Sequence, residues 1–128
     1  MIIAMDKLFL CLGSILSGVS VVLGAFATHS LKAQLSESAL EIFQTGARYQ
    51  MYHGLALFGV GLLLRQVEPP QPLMVSTGIA FIVGILVFSG SLYSLSLTGI
   101  GWLGAITPLG GAAFILAWGC LAVATAKL

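Results

Sequence analysis

The sequence predicts an all-α integral membrane protein: a bundle of four transmembrane helices with a short amphipathic helix between helices one and two. Charged residues make up only 7% of its 128 residues, whereas an average soluble domain contains about 25%. Its mean hydropathy is +1.09, and 59% of its residues are hydrophobic. Apolar residues concentrate in four long runs, which cover about residues 8–27, 47–64, 73–97 and 102–126.

Each run has about the 18–25 residues that an α-helix needs to cross a hydrocarbon core about 30 Å thick. Inside that core no water can bond the backbone, so every N–H and C=O group must find a partner within its own segment. The runs are therefore predicted to be helices. Together with their connections they use up the sequence, which predicts a single transmembrane domain over residues 1–128.

The first run shares two features with a cleaved signal peptide. Lys7 precedes it, and residues 25–27 have the small-x-small pattern of a cleavage site. Its length of about 20 residues exceeds the roughly 7–15 residues of a signal peptide's apolar region. Gly13, Ser17 and Gly24 also suit a helix that packs closely on a neighbour. We therefore expect the run to remain in the mature protein as its first helix.

The connection between the first two runs, residues 30–45, contains an amphipathic pattern. Residues 38–41 read Ser-x-x-Glu, a capping box that predicts a helix start at Ser38. Leu40, Phe43 and Ala47 then fall on one helical face. These features predict a short helix at the membrane surface, continuous or nearly continuous with the second helix.

The later connections contain residues that interrupt helices. Pro69, Pro70 and Pro72 predict a stiff, extended turn after the second helix. Residues 98–101 are so few that we expect the last two helices to form an antiparallel hairpin. Pro108 lies early in the fourth run, where we expect it to kink the helix.

Polar residues of several runs are predicted to meet at one end of the bundle. Residues four apart share a helical face, and in the second run this spacing produces two adjacent polar faces, one through Arg48 and one through His53. Gln50 lies off both faces, and His29 ends the first helix on the same side of the membrane. The candidate polar cluster is His29, Gln44, Thr45, Arg48, Tyr49, Gln50, His53, Ser89, Ser91, Tyr93, Ser94 and Thr107.

This cluster has two interpretations at this point. Ionisable residues within a membrane span are functional candidates by default, which favours a polar pocket that opens to the outer side. Hydroxyl, amide and imidazole groups also bond helices to one another, which favours a structural network at the headgroup level. We expect Gln44, Tyr49 and His53 to converge with Ser91 or Ser94 in one network between helices one, two and three.

We expect no enzymatic activity, no cofactor and no metal site. The sequence has neither the His-x-x-His nor the Cys-x-x-Cys spacing of metal ligands. The four runs contain no Asp or Glu that could orient a histidine or carry a proton. Cys11 and Cys120 are expected to act as small apolar residues. A net charge of +1 without a basic block excludes nucleic acid as a partner.

The distribution of Lys and Arg predicts the orientation, because both residues are enriched on the cytoplasmic side. With four spans, Lys7, Arg65 and Lys127 share one side, and Lys32 and Arg48 share the other. This balance predicts a multi-pass protein of the bacterial inner (plasma) membrane with both termini in the cytoplasm.

Small residues in helices one and four predict close packing and self-association. We expect a homo-oligomer with Gly13, Ser17, Ala113 or Ala117 buried between copies of the chain. Membrane lipid and an unidentified membrane protein are the other expected partners.

Four segments carry a resemblance to a known family: LGAFATHSL at residues 23–31, FQTGARYQMYHGLAL at 43–57, FSGSLYSLSLTG at 88–99 and ITPLGGAAF at 106–114. They resemble the YgdD/YwdK-like family of small four-helix bacterial membrane proteins of unknown function. The resemblance implies four transmembrane helices and brings no activity, substrate or catalytic residue. The matching motif positions are His29, Gln44, Thr45, Gly46, Tyr49, Gln50, His53, Ser89, Gly90, Ser91, Tyr93, Thr107, Pro108 and Gly110.

The sequence therefore predicts a small integral inner-membrane protein without recognisable catalytic machinery. The leading hypothesis is a structural or accessory protein whose outward-facing polar cluster binds a partner or lipid. The alternative is a small-solute transporter or channel component that uses the same cluster. A cavity that reaches His53 would favour the transporter, whereas a dry, packed centre would favour the accessory protein.

Overall fold

The computed structural model describes residues 4–128, and every regular element in this range is helical. The elements are α1 (Met5–His29), a 3₁₀ turn (Leu31–Ala33), α2 (Glu37–Leu64), α3 (Pro72–Gly84), a π-helical turn (Ile85–Ser89), α4 (Gly90–Thr98), a second 3₁₀ turn (Gly101–Ala105) and α5 (Thr107–Ala126). The π turn joins α3 to α4 without a break, so the described chain forms four helical rods. The predicted all-α class is confirmed, and each apolar run lies within one rod.

Three of the rods are long and apolar enough to cross a membrane, namely Met5–Ala33, Pro72–Thr98 and Gly101–Ala126. α2 is as long, at 28 residues. It is more polar, because it carries Arg48, Gln50 and His53. The structure thus supports three of the four predicted spans, and the crossing of the membrane by α2 stays a prediction.

α2 is the central helix of the bundle. α1 packs along one side of it, and α3, the π turn and α4 pack along another. α5 packs against α3 and the π turn. The most polar helix therefore has apolar helices around it, which keeps its buried amide and imidazole groups away from the outside of the bundle.

Two apolar clusters close the two ends of the bundle. The larger lies at the end where α1 begins and α5 finishes, and its buried members are Phe9, Leu57, Val60, Leu64, Met74, Phe81, Ile85, Phe114, Ala117 and Ala124. The smaller lies at the opposite end, where α1 finishes and α2 begins, and consists of Ala27, Leu31 and Phe43. The buried polar side chains lie mainly between these clusters.

Glycines set how closely α1 and α2 approach. A Cβ atom added to Gly13 would lie 2.7 Å from the backbone nitrogen of Phe58. One added to Gly61 would lie 2.9 Å from the carbonyl oxygen of Asp6. The two backbones are thus in direct contact along what we call the glycine seam, formed by Gly13, Gly54 and Gly61. Helices in lipid associate largely through such close packing.

Residues predicted to lie between copies of the chain are inside it instead. Gly13 faces α2, the hydroxyl of Ser17 would lie 2.7 Å from a Cβ on Gly54, and Ala117 is fully buried. The predicted interface is wrong for these three residues, because helical spacing shows which face is small but not which helix it meets. Ala113 is half-buried. Self-association stays a prediction.

Two helix starts also differ from the predictions. α2 begins after Ser36, whose side-chain oxygen accepts a hydrogen bond of 3.1 Å from the backbone N–H of Ala39. The predicted start at Ser38 is therefore wrong, whereas the amphipathic segment is helical as predicted and is continuous with the second helix as the first turns of α2. Pro108 lies in the first turn of α5, where its missing N–H costs no hydrogen bond. It begins a helix instead of kinking one.

Candidate functional site

Gln50 joins three helices at the centre of the bundle. Its amide nitrogen donates to the carbonyl oxygen of Leu16 on α1 at 2.9 Å, and its amide oxygen accepts from the hydroxyl of Tyr93 on α4 at 2.7 Å. The side chain is only 4% exposed. Gly46, one turn earlier on α2, makes room for the tyrosine ring, because a Cβ there would lie 2.8 Å from Cε1 of Tyr93.

Ser89 is the last residue of the π turn and connects it to α2 through a hydrogen bond. Its hydroxyl donates to the carbonyl oxygen of Gly46 at 2.7 Å, and the residue is fully enclosed. On its other side the π turn meets α5 so closely that a Cβ added to Gly110 would collide with the backbone nitrogen of Phe88. π-helical turns inside α-helices are frequently found at functional sites. This one combines a polar bond to α2 with a backbone contact to α5.

Ser91 connects α4 to the start of α5. Its hydroxyl lies 2.6 Å from that of Thr107 and 2.9 Å from the carbonyl oxygen of Phe88, to which it donates. Because Ser91 uses its hydrogen on the carbonyl, Thr107 is the donor of the bond between the two hydroxyls. The pair fixes the hairpin of α4 and α5 near its tip.

His53 lies in an aromatic environment. Its Nδ1 is 2.6 Å from the carbonyl oxygen of Tyr49, and since a carbonyl can only accept, Nδ1 carries a proton. Its ring stacks on that of Phe114, with centroids 3.5 Å apart and planes 7° from parallel. The ring centroids of Phe81 and Trp118 lie 5.8 and 6.0 Å from that of His53. Side chains thus fill the space in which a solute would meet the imidazole ring.

The remaining predicted residues lie nearer the surface. Arg48 donates to the hydroxyl of Thr45 at 3.2 Å, which bonds the carbonyl oxygen of Glu41 in the same helix. Ser94 bonds only its own helix, and His29 is exposed at the end of α1. The predicted single network of Gln44, Tyr49, His53 and Ser91 or Ser94 is therefore wrong. The structure has separate links instead: Gln50 with Tyr93, Ser89 with Gly46, and Ser91 with Thr107.

Gln50 belongs to the predicted cluster, but its role in linking helices was not predicted because it lies off the two polar faces of the second helix. A signal was present, since Gly46, Gln50 and Gly54 are four residues apart and share one face. A face made of glycines packs against a neighbouring helix, so a glutamine between them must be buried. Ser96 was also left out of the cluster, yet it is buried and donates to the carbonyl oxygen of Tyr93 at 2.9 Å.

Gln44 and Arg48 face a surface groove of about 330 Å³ between α1 and α2. We call it the α1–α2 groove, and its lining residues are Ser20, Gly24, Thr28, Gln44, Ala47, Arg48 and Met51. It is separate from the aromatic environment of His53. The polar residues predicted as one outward pocket are thus divided between a packed interior and this groove.

Comparison with known proteins identifies relatives over nearly the whole chain. Residues 23–111 match a family described as "Protein of unknown function (DUF423)". The chain is 44% identical over 121 residues to the UPF0382 membrane protein YwdK of Bacillus subtilis, an alignment that covers 94% of this chain and 98% of the relative. It is 42% identical over 122 residues to a UPF0382 membrane protein of Staphylococcus epidermidis, with 94% and 97% covered.

No solved structure matches the chain. The family match covers more than half of the sequence, and it agrees with the resemblance carried by the four sequence segments. The apolar helices of the structure agree with the word "membrane" in the names of the relatives. The chain therefore belongs to the DUF423 family, whose YwdK-like relatives are membrane proteins of unknown function.

Proposed function

We propose that the protein is a small multi-pass protein of the bacterial plasma membrane with a structural or accessory role and no enzymatic activity of its own. The observation that carries this proposal is the use of the buried polar groups. Gln50 and Ser89 bond to other helices, and His53 is enclosed by aromatic rings. Polar groups that carried a solute would instead need free bonding capacity and a path for water.

Helix order is the property that such bonds determine. In lipid, helices gain little from hydrophobic exclusion, so packing and interhelical hydrogen bonds decide which helices associate. Gln50 bonds to α1 and α4, and Ser89 bonds the π turn to α2. These contacts support a rigid bundle that presents an apolar outside to lipid. Strongly exposed apolar residues include Val21, Val22, Leu86, Leu109, Ile115 and Leu116.

A four-span arrangement with both termini in the cytoplasm is part of the proposal. α2 would cross as the central helix, shielded by three apolar helices. Reporter fusions after residue 128 and within residues 30–36 test the arrangement. We expect a cytoplasmic signal from the C-terminal fusion and an outer-side signal from the internal one. Signals from the same side would contradict the crossing of α2.

The role itself is tested against the alternative, a small-solute transporter that uses the same polar cluster. In a chain whose native cysteines are replaced by alanine, Ser89→Cys places a thiol on the buried π turn. Thr98→Cys, at the exposed end of α4, is the matched control. We expect a membrane-impermeant thiol reagent to label residue 98 and to leave residue 89 unlabelled. Rapid labelling of residue 89 in folded protein would reveal a water path and favour the transporter.

An accessory role also implies retained partners. Mild-detergent extraction followed by native mass spectrometry reports bound proteins, lipids and further copies of the chain together. We expect a discrete complex that contains another membrane protein or a second copy. A bare single chain from several detergents and from nanodiscs would contradict the accessory role.

A further inference from the structure

We infer that the α1–α2 groove binds the anionic headgroup of a phospholipid, with Arg48 as the residue that recognises its phosphate. The inference rests on the proposed membrane placement of the bundle and names a ligand for one part of the predicted cluster. It is carried by the shape of the groove, by its charge and by the apolar surface beside it.

The groove exists because α1 and α2 are close together at one level and apart at another. At Gly13 an added Cβ would lie 2.7 Å from the backbone of α2, but at Gly24 it would meet nothing within 4 Å. The space between the helices there is open. Ser20 and Ala47 form a buried floor, at 4% and 6% exposure. The groove is thus a fixed part of the helix crossing.

Arg48 supplies the charge of this groove. It is exposed, and its one side-chain hydrogen bond goes to Thr45 of its own helix. The ion pair found within residues 4–128 is Arg65 with Asp6, at the other end of the bundle. A guanidinium group has five N–H donors, so most of those of Arg48 remain available. Phosphate accepts such donors in pairs and neutralises the charge.

The other polar groups near Arg48 are compatible with an anion. Gln44 lines the groove one turn away, and its amide makes no hydrogen bond to another described residue. The carboxylates of Glu37 and Glu41 line a neighbouring cavity together with Lys32, outside the groove. Arg48 is therefore the charged residue of the groove itself.

The surface beside the groove favours a lipid over free phosphate. Along α2 the face that begins with Gln44 and Arg48 continues to Met51 and then to Leu55, which is 56% exposed. Leu55 lies about 10 Å farther along the helix axis than Arg48, at 1.5 Å per residue. A cation followed by exposed apolar side chains matches a phosphate followed by an acyl chain.

The test uses the full chain, delipidated in mild detergent, with phosphatidylglycerol and phosphatidylcholine as probes and native mass spectrometry as readout. We expect phosphatidylglycerol to bind about five-fold better, the effect of one cation near an anionic lipid. Arg48→Gln should abolish this preference. Arg65→Gln, which removes the ion-paired arginine at the other end, should keep it.

A second variant tests the groove independently of the charge. Gly24→Leu adds side-chain atoms to the lining of the groove, and its Cβ meets nothing within 4 Å, so the variant should fold and still lose the preference for phosphatidylglycerol. Retention of the preference in either Arg48→Gln or Gly24→Leu overturns the inference. Displacement of phosphatidylglycerol by excess inorganic phosphate also overturns it, because the site would then take a free anion.

The outcome is separable from that of the proposed function. If residue 89 stays unlabelled while Arg48→Gln keeps the lipid preference, the lipid site fails and the accessory proposal stands. If residue 89 is labelled while Arg48→Gln loses the preference, the lipid site stands and the accessory proposal fails.

Discussion

α2 is held on its two sides by different kinds of contact. Towards α1 the glycine seam brings the two backbones together, because Gly13, Gly54 and Gly61 carry no side chain of their own. Towards the π turn and α4, side chains donate hydrogen bonds across the gap, as Ser89 does to Gly46. We call this second contact the polar seam. The glycine seam depends on the absence of side-chain atoms, whereas the polar seam depends on a few hydrogen-bonding side chains.

This difference predicts different tolerances. At Gly13 and Gly61 of the glycine seam an added Cβ collides with backbone atoms of the other helix, which cannot move aside as a flexible side chain can. At the polar seam a lost hydrogen bond costs little, because such bonds in membrane proteins average only about 0.6 kcal/mol. The glycine seam should therefore contribute more to stability, and the polar seam should mainly specify which helices are neighbours.

The largest effect is expected at Gly13. Its replacement by alanine places a Cβ 2.7 Å from the nitrogen of Phe58 and 2.8 Å from the carbonyl oxygen of Gly54. The helices must separate, and overpacking of this kind costs about 1–3 kcal/mol. Chemical unfolding in mixed micelles measures the loss. Gly18→Ala is the control, since a Cβ there meets nothing within 4 Å. Equal stability of the two variants would contradict the backbone contact.

Gln50→Leu tests the one side chain that bonds across both seams. It removes the bonds to Leu16 and Tyr93, and we expect a loss of about 1–2 kcal/mol in the free energy of unfolding from two interhelical bonds. Gln44→Leu is the matched control on the same helix, because the Gln44 side chain has no hydrogen-bond partner among the described residues, and it should change stability little. If both variants were equally stable, Gln50 would not link the helices.

A smaller effect is expected from Ser89→Ala, which removes one bond of the polar seam. The loss should be about 0.6 kcal/mol, the average for such a bond. Ser94→Ala is its control, since Ser94 donates only to the carbonyl oxygen of Gly90 in its own helix. The same unfolding measurement compares them. A loss of several kcal/mol for Ser89→Ala would mean that the polar seam dominates the fold.

The sequence predicted the helices well because their signal is local. Four apolar runs of spanning length require helices wherever they enter lipid, and each run lies within a helical rod. Helix starts were harder to predict. Ser36 is followed directly by Glu37, and Ser38 is followed by Glu41 three residues later. The capping box favoured Ser38, whereas the helix begins one half-turn earlier.

The partners of each face could not be predicted, because they depend on how distant segments meet. The small residues around Gly13 indicated a close contact, but only the fold shows that α2 makes it. The acceptors for Gln50 and Ser89 include backbone carbonyl oxygens, which every residue has and no sequence pattern marks. The hydrogen-bond connections of the polar residues therefore differ from the predicted ones.

The smallest effect is expected from the ion pair at the far end of the glycine seam. Arg65 lies 3.7 Å from Asp6, and their side chains are 59% and 24% exposed. Arg65→Gln should cost about 0.5 kcal/mol or less, because an exposed pair gains little Coulomb energy and loses side-chain freedom. The difference should vanish at high salt, where the Debye length falls to about 3 Å at 1 M.

Arg48→Gln is the control for that measurement, since Arg48 has no ion-pair partner among residues 4–128. Its stability should be that of the parent at any salt concentration. A salt-independent loss above about 1 kcal/mol in Arg65→Gln would exceed the range of exposed pairs. It would mean that charge, and not only the close approach of Gly61 to Asp6, holds this end of α1 against α2.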